Sequence, residues 1–161
     1  MGLDFRVGIG YDAHQFIAGR PFILGGVTIE HSKGLLGHSD ADALSHTISD
    51  AILGAAALGD MGKYFPDTDL KWKNADSLSM LKECARLAGE KGWVIGNVDS
   101  TIICQKPKLA GYLDAMKEKI AVTLGVSADK ISVKAKTTEE MGFEGRQEGL
   151  STQAVVLLQK K

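Results

Sequence analysis

The chain of 161 residues is short of cysteine, of any charge surplus and of long apolar runs, and each shortage closes off a class of function. Its two cysteines, Cys84 and Cys104, show no C-x-x-C spacing. One falls in a helical pattern and the other ends a strand, so they read as buried free thiols, not as metal ligands or a disulfide framework. With 19 Lys and Arg against 20 Asp and Glu, there is no basic face for counterion release, which argues against non-specific nucleic-acid binding. No window approaches the roughly 20 apolar residues that cross a bilayer, and Met1 opens no basic-then-apolar leader. No membrane association and a cytoplasmic location are therefore expected.

What is present suits one globular domain over residues 1–161, 44% hydrophobic and 24% charged. A chain of this size buries about 70% of its unfolded surface and needs no staples. There is no internal repeat, low-complexity segment or linker. The 19 glycines have no fixed period and cluster at 8–10, 25–26, 34–37, 59–62 and 142–149, which points to tight turns around a site.

The hydrophobic pattern predicts strands at Phe5–Ile9 and on both sides of Gly25-Gly26, the second a hairpin signal. From Asp40, a plausible N-cap, the period changes: Leu44, Ile48, Ala51, Ile52, Ala55 and Leu58 form a helical stripe that closes at Gly59. A second helix is expected from Asp76 to Gly92. A third begins near Pro107 and closes at Gly125. Val94–Cys104, Ile131–Ala135 and Ala154–Leu158 read as strands. The order implies an α+β domain in which helices cover one face of a sheet. The stretch from Gly59 to Lys73 is too long for an ordinary loop and is a candidate functional segment.

Three clusters are candidates for chemistry. In Asp12-Ala13-His14, after the first strand, the two polar residues share one side of an extended chain; alone, the pair reads more readily as an Asx turn beside a surface histidine. Gly37-His38-Ser39-Asp40-Ala41-Asp42 runs into a helix on which Asp42, His46 and Asp50 share a face. Together, these histidines and carboxylates are the ligand mix of zinc, and one Asp with two His leaves a fourth position open, as in catalytic sites. His31 lacks such a pattern and is assigned to the surface. The glycines, carboxylates and threonine of 59–69 suit phosphate or sugar oxygens, or simply a helix cap followed by a Pro-Asp turn. In Lys136-Thr137-Thr138-Glu139-Glu140, hydroxyls and a carboxylate suit phosphate and Mg²⁺, while the same string also reads as a helix start with Thr137 or Thr138 as N-cap.

Taken in order, YDAHQF, LLGHSDADALSH, LGDMGKYFPDTD, VDSTIICQKPKL and KAKTTEEMGFEGRQEG resemble the 2-C-methyl-D-erythritol 2,4-cyclodiphosphate synthase family of the non-mevalonate isoprenoid pathway, from about Arg6 to Leu158. The resemblance implies a homotrimer with active sites between subunits and sheets around a central axis. It implies conversion of 4-diphosphocytidyl-2-C-methyl-D-erythritol 2-phosphate, a small CDP-linked substrate, to the cyclic diphosphate with release of CMP. Zinc would be held by Asp12, His14 and His46, and a second divalent cation, Mg²⁺ or Mn²⁺, by Glu139. His38 and Thr137 would stabilise the transition state. Ser39, Asp60, Met61 and Gly62 would bind substrate, with Phe65, Pro66, Asp67, Thr68 and Asp69 as a substrate loop. Cys104, Gln105, Lys106, Pro107, Lys108, Leu109 and Ala110 resemble a cytosine pocket, with Lys136 and Thr138 nearby. Phe143 and Arg146 resemble the lining of an axial pocket for an isoprenoid diphosphate. Two rivals remain: a zinc phosphohydrolase, which would release a linear product, and a binding module for isoprenoid diphosphates, which would release none.

Overall fold

The computed structural model describes residues 4–161; residues 1–3, the opening of the expected domain, lie outside it. Five strands form one mixed sheet in the order β4-β1-β7-β5-β6. They are β1 (Phe5–Ala18), β4 (Lys33–Leu35), β5 (Trp93–Ile103), β6 (Ile131–Lys136) and β7 (Gly149–Lys160). Among the described residues, only the β5–β6 pair is parallel. A separate hairpin, β2 (Phe22–Leu24) with β3 (Val27–Ile29), turns at Gly25-Gly26, both at positive φ, as a two-residue hairpin turn requires. The α+β class is as expected.

The first strand is longer than its apolar run. It extends to Ala18, so Asp12 and His14 lie inside it and not after it. Strand alternation explains why the apolar signal stopped early: even-numbered residues face the helices and odd-numbered ones face away. Gly8 and Gly10 are on the helix side, where helix α1 (Ala43–Ala55) comes so close that a Cβ at either position would sit 1.9 Å from a carbonyl oxygen of the helix. Glycine is required here by backbone-to-backbone approach.

Helix α1 begins at Ala43, not at Asp40, and its N-cap is Asp42, whose carboxylate accepts from Ser45 N. That carboxylate is fully buried and also accepts from Gly25 N at 2.9 Å and Gly26 N at 2.7 Å, so one side chain caps the helix and pins the hairpin tip. Burial pushes its pKa up against the hydrogen bonds that favour the ionised form. Asp42 is thus not part of a polar stripe with His46 and Asp50. The helix is buried on nearly all sides, because its polar residues are internally satisfied: Ser49 donates to Ser45 O at 2.8 Å, and Thr47 shares a 2.5 Å hydrogen bond with Thr152.

Helices α3 (Ser77–Glu90) and α4 (Leu113–Leu124) complete the layer. The first starts where expected, and its N-cap is Asp76. The second begins six residues after Pro107, behind a single 3-10 turn at Ala110–Tyr112, and ends at a left-handed Gly125. The segment 59–73 contains the short helix α2 (Met61–Tyr64), capped by Asp60, and a 3-10 turn at Leu70–Trp72, capped by Asp69. His31 is half-buried against Phe16 and Phe22 and not on the open surface. The far face of the sheet is apolar and not covered by any of the described residues: Val7 is 67% exposed, Ile9 75% and Tyr11 56%, with Val94 and Val155 beside them.

Candidate metal centre

Asp12 and His14 project from the helix side of β1, and His46 meets them from the first turn of α1, so that one ligand atom of each lies within 4.8 Å of the others. His46 Nδ1 is 3.3 Å from Asp12 Oδ2 and His14 Nδ1 is 3.5 Å from Asp12 Oδ1. The two rings lie 5.5 Å apart, tilted by 59°. His14 Nδ1 is also 2.8 Å from Ala13 O. A carbonyl can only accept, so Nδ1 carries the proton and Nε2 keeps the lone pair that a metal takes.

At His46 the groups facing Nδ1 and Nε2 differ. Nε2 is 2.9 Å from Ser77 Oγ and 3.1 Å from Ser39 Oγ. Nδ1 faces the Asp12 carboxylate, an acceptor. An acceptor pair this close needs a cation or a proton between them, and one carboxylate with two imidazoles is a zinc donor set with room for a further ligand. Burial alone would lower the His46 pKa; the hydrogen bond and charge of Asp12, then the charges of Asp42 and Asp40, outweigh it and hold the pKa above its ordinary value.

These residues line a cleft of about 460 Å³ with His38, Ser39, Asp50 and the segment that follows α1. From that segment come Met61, Gly62, Phe65, Pro66, Asp67 and Thr68. Phe65 is buried and packs edge-on against Trp72 at 4.8 Å, which gives the cleft an apolar wall. Asp60 and Asp69 act instead as caps at the ends of this segment. Asp50 accepts from Met61 N at 2.8 Å, and burial raises its pKa. The loop carrying His38 is held from both sides: the Arg20 guanidinium donates to Gly37 O at 2.5 Å and to Ser39 O at 2.6 Å. His38 Nε2 is buried with no hydrogen-bond partner among the described residues.

The second half of the expected site lies elsewhere in the fold. Thr137 donates to Glu139 Oε1 at 2.9 Å, and Gln105 Oε1 accepts from Glu140 N at 3.2 Å. Cys104 N donates to Lys136 O at 2.8 Å, which joins the segments after β5 and β6. Glu139 and Glu140 both have positive φ, and the following helix, α5 (Gly142–Gly145), is capped at Met141, so neither Thr137 nor Thr138 is an N-cap. Thr138 donates to Met141 O within this turn. Lys106, Lys108 and Ala110 are exposed, Pro107 is half-buried, and Leu109 is buried. Ala13, Ser151, Ile103 and Lys136 form one row across the sheet. Three strand spacings, roughly 14 Å, therefore separate the backbone bearing the metal ligands from that bearing Thr137 and Glu139. Phe143 lines a separate cleft of about 330 Å³ beside His14, Gln15 and Glu148; Arg146 is exposed and paired with Glu148 at 2.9 Å.

Trp72, Met80 and Ser77, none of them marked by the sequence, complete the cleft or touch His46, as does Asp50. Only Asp50 left a trace, through its spacing from His46. Ser77 reads as an ordinary first residue of a helix.

Residues 5–159 match the YgbB family. A 2-C-methyl-D-erythritol 2,4-cyclodiphosphate synthase of Bacillus cereus is 57% identical over 98% of this chain and 99% of its own. Among solved structures, the bifunctional IspDF of Campylobacter jejuni superposes with a TM-score of 0.96 at 44% identity, covering 99% of this chain and 43% of the longer protein. IspF of Plasmodium falciparum in complex with CDP gives a TM-score of 0.86 at 34% identity, over 100% of this chain and 99% of its own.

Proposed function

The chain belongs to the YgbB family, and from that membership we infer that it converts 4-diphosphocytidyl-2-C-methyl-D-erythritol 2-phosphate to 2-C-methyl-D-erythritol 2,4-cyclodiphosphate and CMP, in the non-mevalonate isoprenoid pathway. The observation that carries this reading is the convergence of Asp12, His14 and His46 at a cleft that also presents His38 with an unpartnered Nε2.

In this reaction an oxygen of the substrate's own 2-phosphate attacks the β-phosphorus, the bond from that phosphorus to the oxygen bridging it to the α-phosphate breaks, and CMP leaves with the electron pair. The protein supplies no nucleophile; it folds the substrate and neutralises charge. Asp12, His14 and His46 would hold zinc and Glu139 a second divalent cation, magnesium or manganese, which would supply Lewis acidity and charge neutralisation. His38 donates to the reacting phosphate through the nitrogen that the fold leaves free. Ser39 and the 60–69 segment hold the methylerythritol portion, and Phe65 keeps water from the apolar side of the cleft. Thr137, with Lys136 and Thr138, addresses the diphosphate, and the 104–110 segment receives the cytosine.

The two halves combine in a homotrimer when one protomer's cleft meets the Thr137–Glu139 end of its neighbour. The roughly 14 Å gap across one sheet and the uncovered apolar face of β1 and β7 support that assembly. Phe143 and Arg146 would receive an isoprenoid diphosphate near the axis, a role that the cleft beside Phe143 supports. The reactants are nucleotide and sugar phosphates, and the cytoplasm is the proposed location; no described helix is long and apolar enough to cross a membrane.

The test is mass spectrometry of the products with chelator, then with zinc and magnesium restored. Cyclic diphosphate and CMP formed only with metal is the expected result. A linear bisphosphate would make the protein a hydrolase, and no turnover by zinc-loaded protein would make it a binding module.

A further inference from the structure

We propose that Ser77 and Asp40 are positioning residues for His46, fixing which of its ring nitrogens is offered to the metal. The proposal rests on the reading of Asp12, His14 and His46 as a metal centre.

Ser77 is fully buried, and its hydroxyl has one proton. Asp40 Oδ1 lies against that hydroxyl, and Asp40 Oδ2 accepts from Ser77 N at 3.1 Å. A carboxylate only accepts, so the Ser77 proton points to Asp40. What Ser77 Oγ then presents to His46 Nε2, 2.9 Å away, is a lone pair, so Nε2 must carry the ring proton. Nδ1 is left with its lone pair directed at the Asp12 carboxylate, where the metal atom belongs. Ser39 Oγ, 3.1 Å from Nε2, takes part as a weaker second acceptor and is itself held by Ala41 N at 3.3 Å.

Asp40 is not there to cap the helix. Asp76 does that through Leu78 N, while Asp40 comes from a different segment, 37 residues earlier in the chain. It is itself fixed: its N–H donates to Ala75 O at 3.1 Å, and Oδ1 also accepts from Asp42 N at 3.1 Å. A carboxylate oriented in this way behind a hydroxyl and an imidazole makes the imidazole a better and better-aimed metal ligand. Loss of such outer partners typically weakens metal binding by roughly 10- to 100-fold.

The probe is zinc alone, titrated against a chromophoric chelator with the parent, S77A, S77T and H46A. S77A should lose roughly 10- to 100-fold in zinc affinity, S77T should recover most of it by restoring the hydroxyl, and H46A should lose the site. Zinc binding by S77A within twofold of the parent, while H46A has lost it, overturns the proposal and leaves the metal centre standing. A loss in S77A that S77T does not recover assigns the effect to packing and overturns it too. Zinc retained by H46A overturns the metal centre itself. Independently of any variant, nitrogen-detected NMR of the zinc-loaded parent should find the His46 proton on Nε2; a proton on Nδ1 refutes the relay.

Discussion

Gly10→Ala tests whether the metal centre is built by the contact of β1 with α1. The added Cβ would lie 1.9 Å from Thr47 O and 2.9 Å from Thr47 C. An ordinary carbon–oxygen contact is about 3.3 Å, so strand and helix must part by more than 1 Å or bend around the methyl. Overpacking of this kind costs about 1–3 kcal/mol. At roughly 2–4 °C per kcal/mol for a domain of this size, the unfolding temperature in chelator should fall by about 2–12 °C. The same displacement carries His46 away from Asp12 and His14, and metal sites tolerate only about 0.5 Å of misplacement. Zinc affinity should therefore drop roughly tenfold or more, comparable to the loss of an outer partner. Gly54→Ala is the control: it lies on the same helix, an added Cβ meets nothing within 4 Å, and alanine there should stabilise by about 0.4–1 kcal/mol. Thermal unfolding by circular dichroism and chelator competition read the two effects. G10A with parental values in both would refute the argument that glycine at position 10 sets the spacing of the site.

In chelator, His46 contributes pH-dependent stability, because Asp12, Asp42 and Asp40 outweigh burial and hold its folded pKa above 6.5. The contribution is fully present below the unfolded value and is lost as pH rises through the folded one. The advantage of the parent over His46→Gln in unfolding temperature should therefore shrink as pH rises from 6 to 8; growth over that range would contradict the assignment. If the proposed trimer forms through the exposed sheet face, Ile9→Lys should leave circular dichroism unchanged and convert the sedimenting species from trimer to monomer, whereas a trimer with parental stability would move the interface elsewhere. Burial pushes the thiols of Cys84 and Cys104 up to about 12 and about 11, so iodoacetamide should label neither in the native protein and both after denaturation. Rapid native labelling would show that one is not buried.

The sequence disclosed the elements with strong periodicity and obscured those whose signal comes from tertiary contact. The Gly25-Gly26 hairpin, the helix start near Asp76 and the Gly125 stop are local chemistry and were legible. The length of β1 was not, because its second half alternates polar metal ligands with residues of an apolar face that no helix covers. The true cap of α1 was hidden for a similar reason: Asp40 and Asp42 are equivalent as local capping residues, and only the hairpin tip, 16 and 17 residues away in sequence, selects Asp42. For the site, the D-x-H pair and the helix histidine pointed to a metal, and the structure brings those three together. Ser77 and Trp72 reach the centre from a segment whose residue types announce nothing, since a serine at a helix start and a tryptophan in a turn are common for other reasons.

The contact of β1 with α1 through bare backbone also bears on which ions the protein can discriminate. Where helices pack on sheets through side chains, rotamers form a soft layer, and a ligand on one element can drift relative to the other. Here Gly8 and Gly10 remove that layer, so the gap between the strand's two ligands and the helix's one is set by main-chain atoms that have nowhere to move. A cavity of fixed width would work as a gauge for a metal held there, suiting an ion bound at about 2.0–2.1 Å better than one, such as calcium, that needs about 2.3–2.6 Å. Two residues with no side chains thereby fix the spacing of a site they never touch.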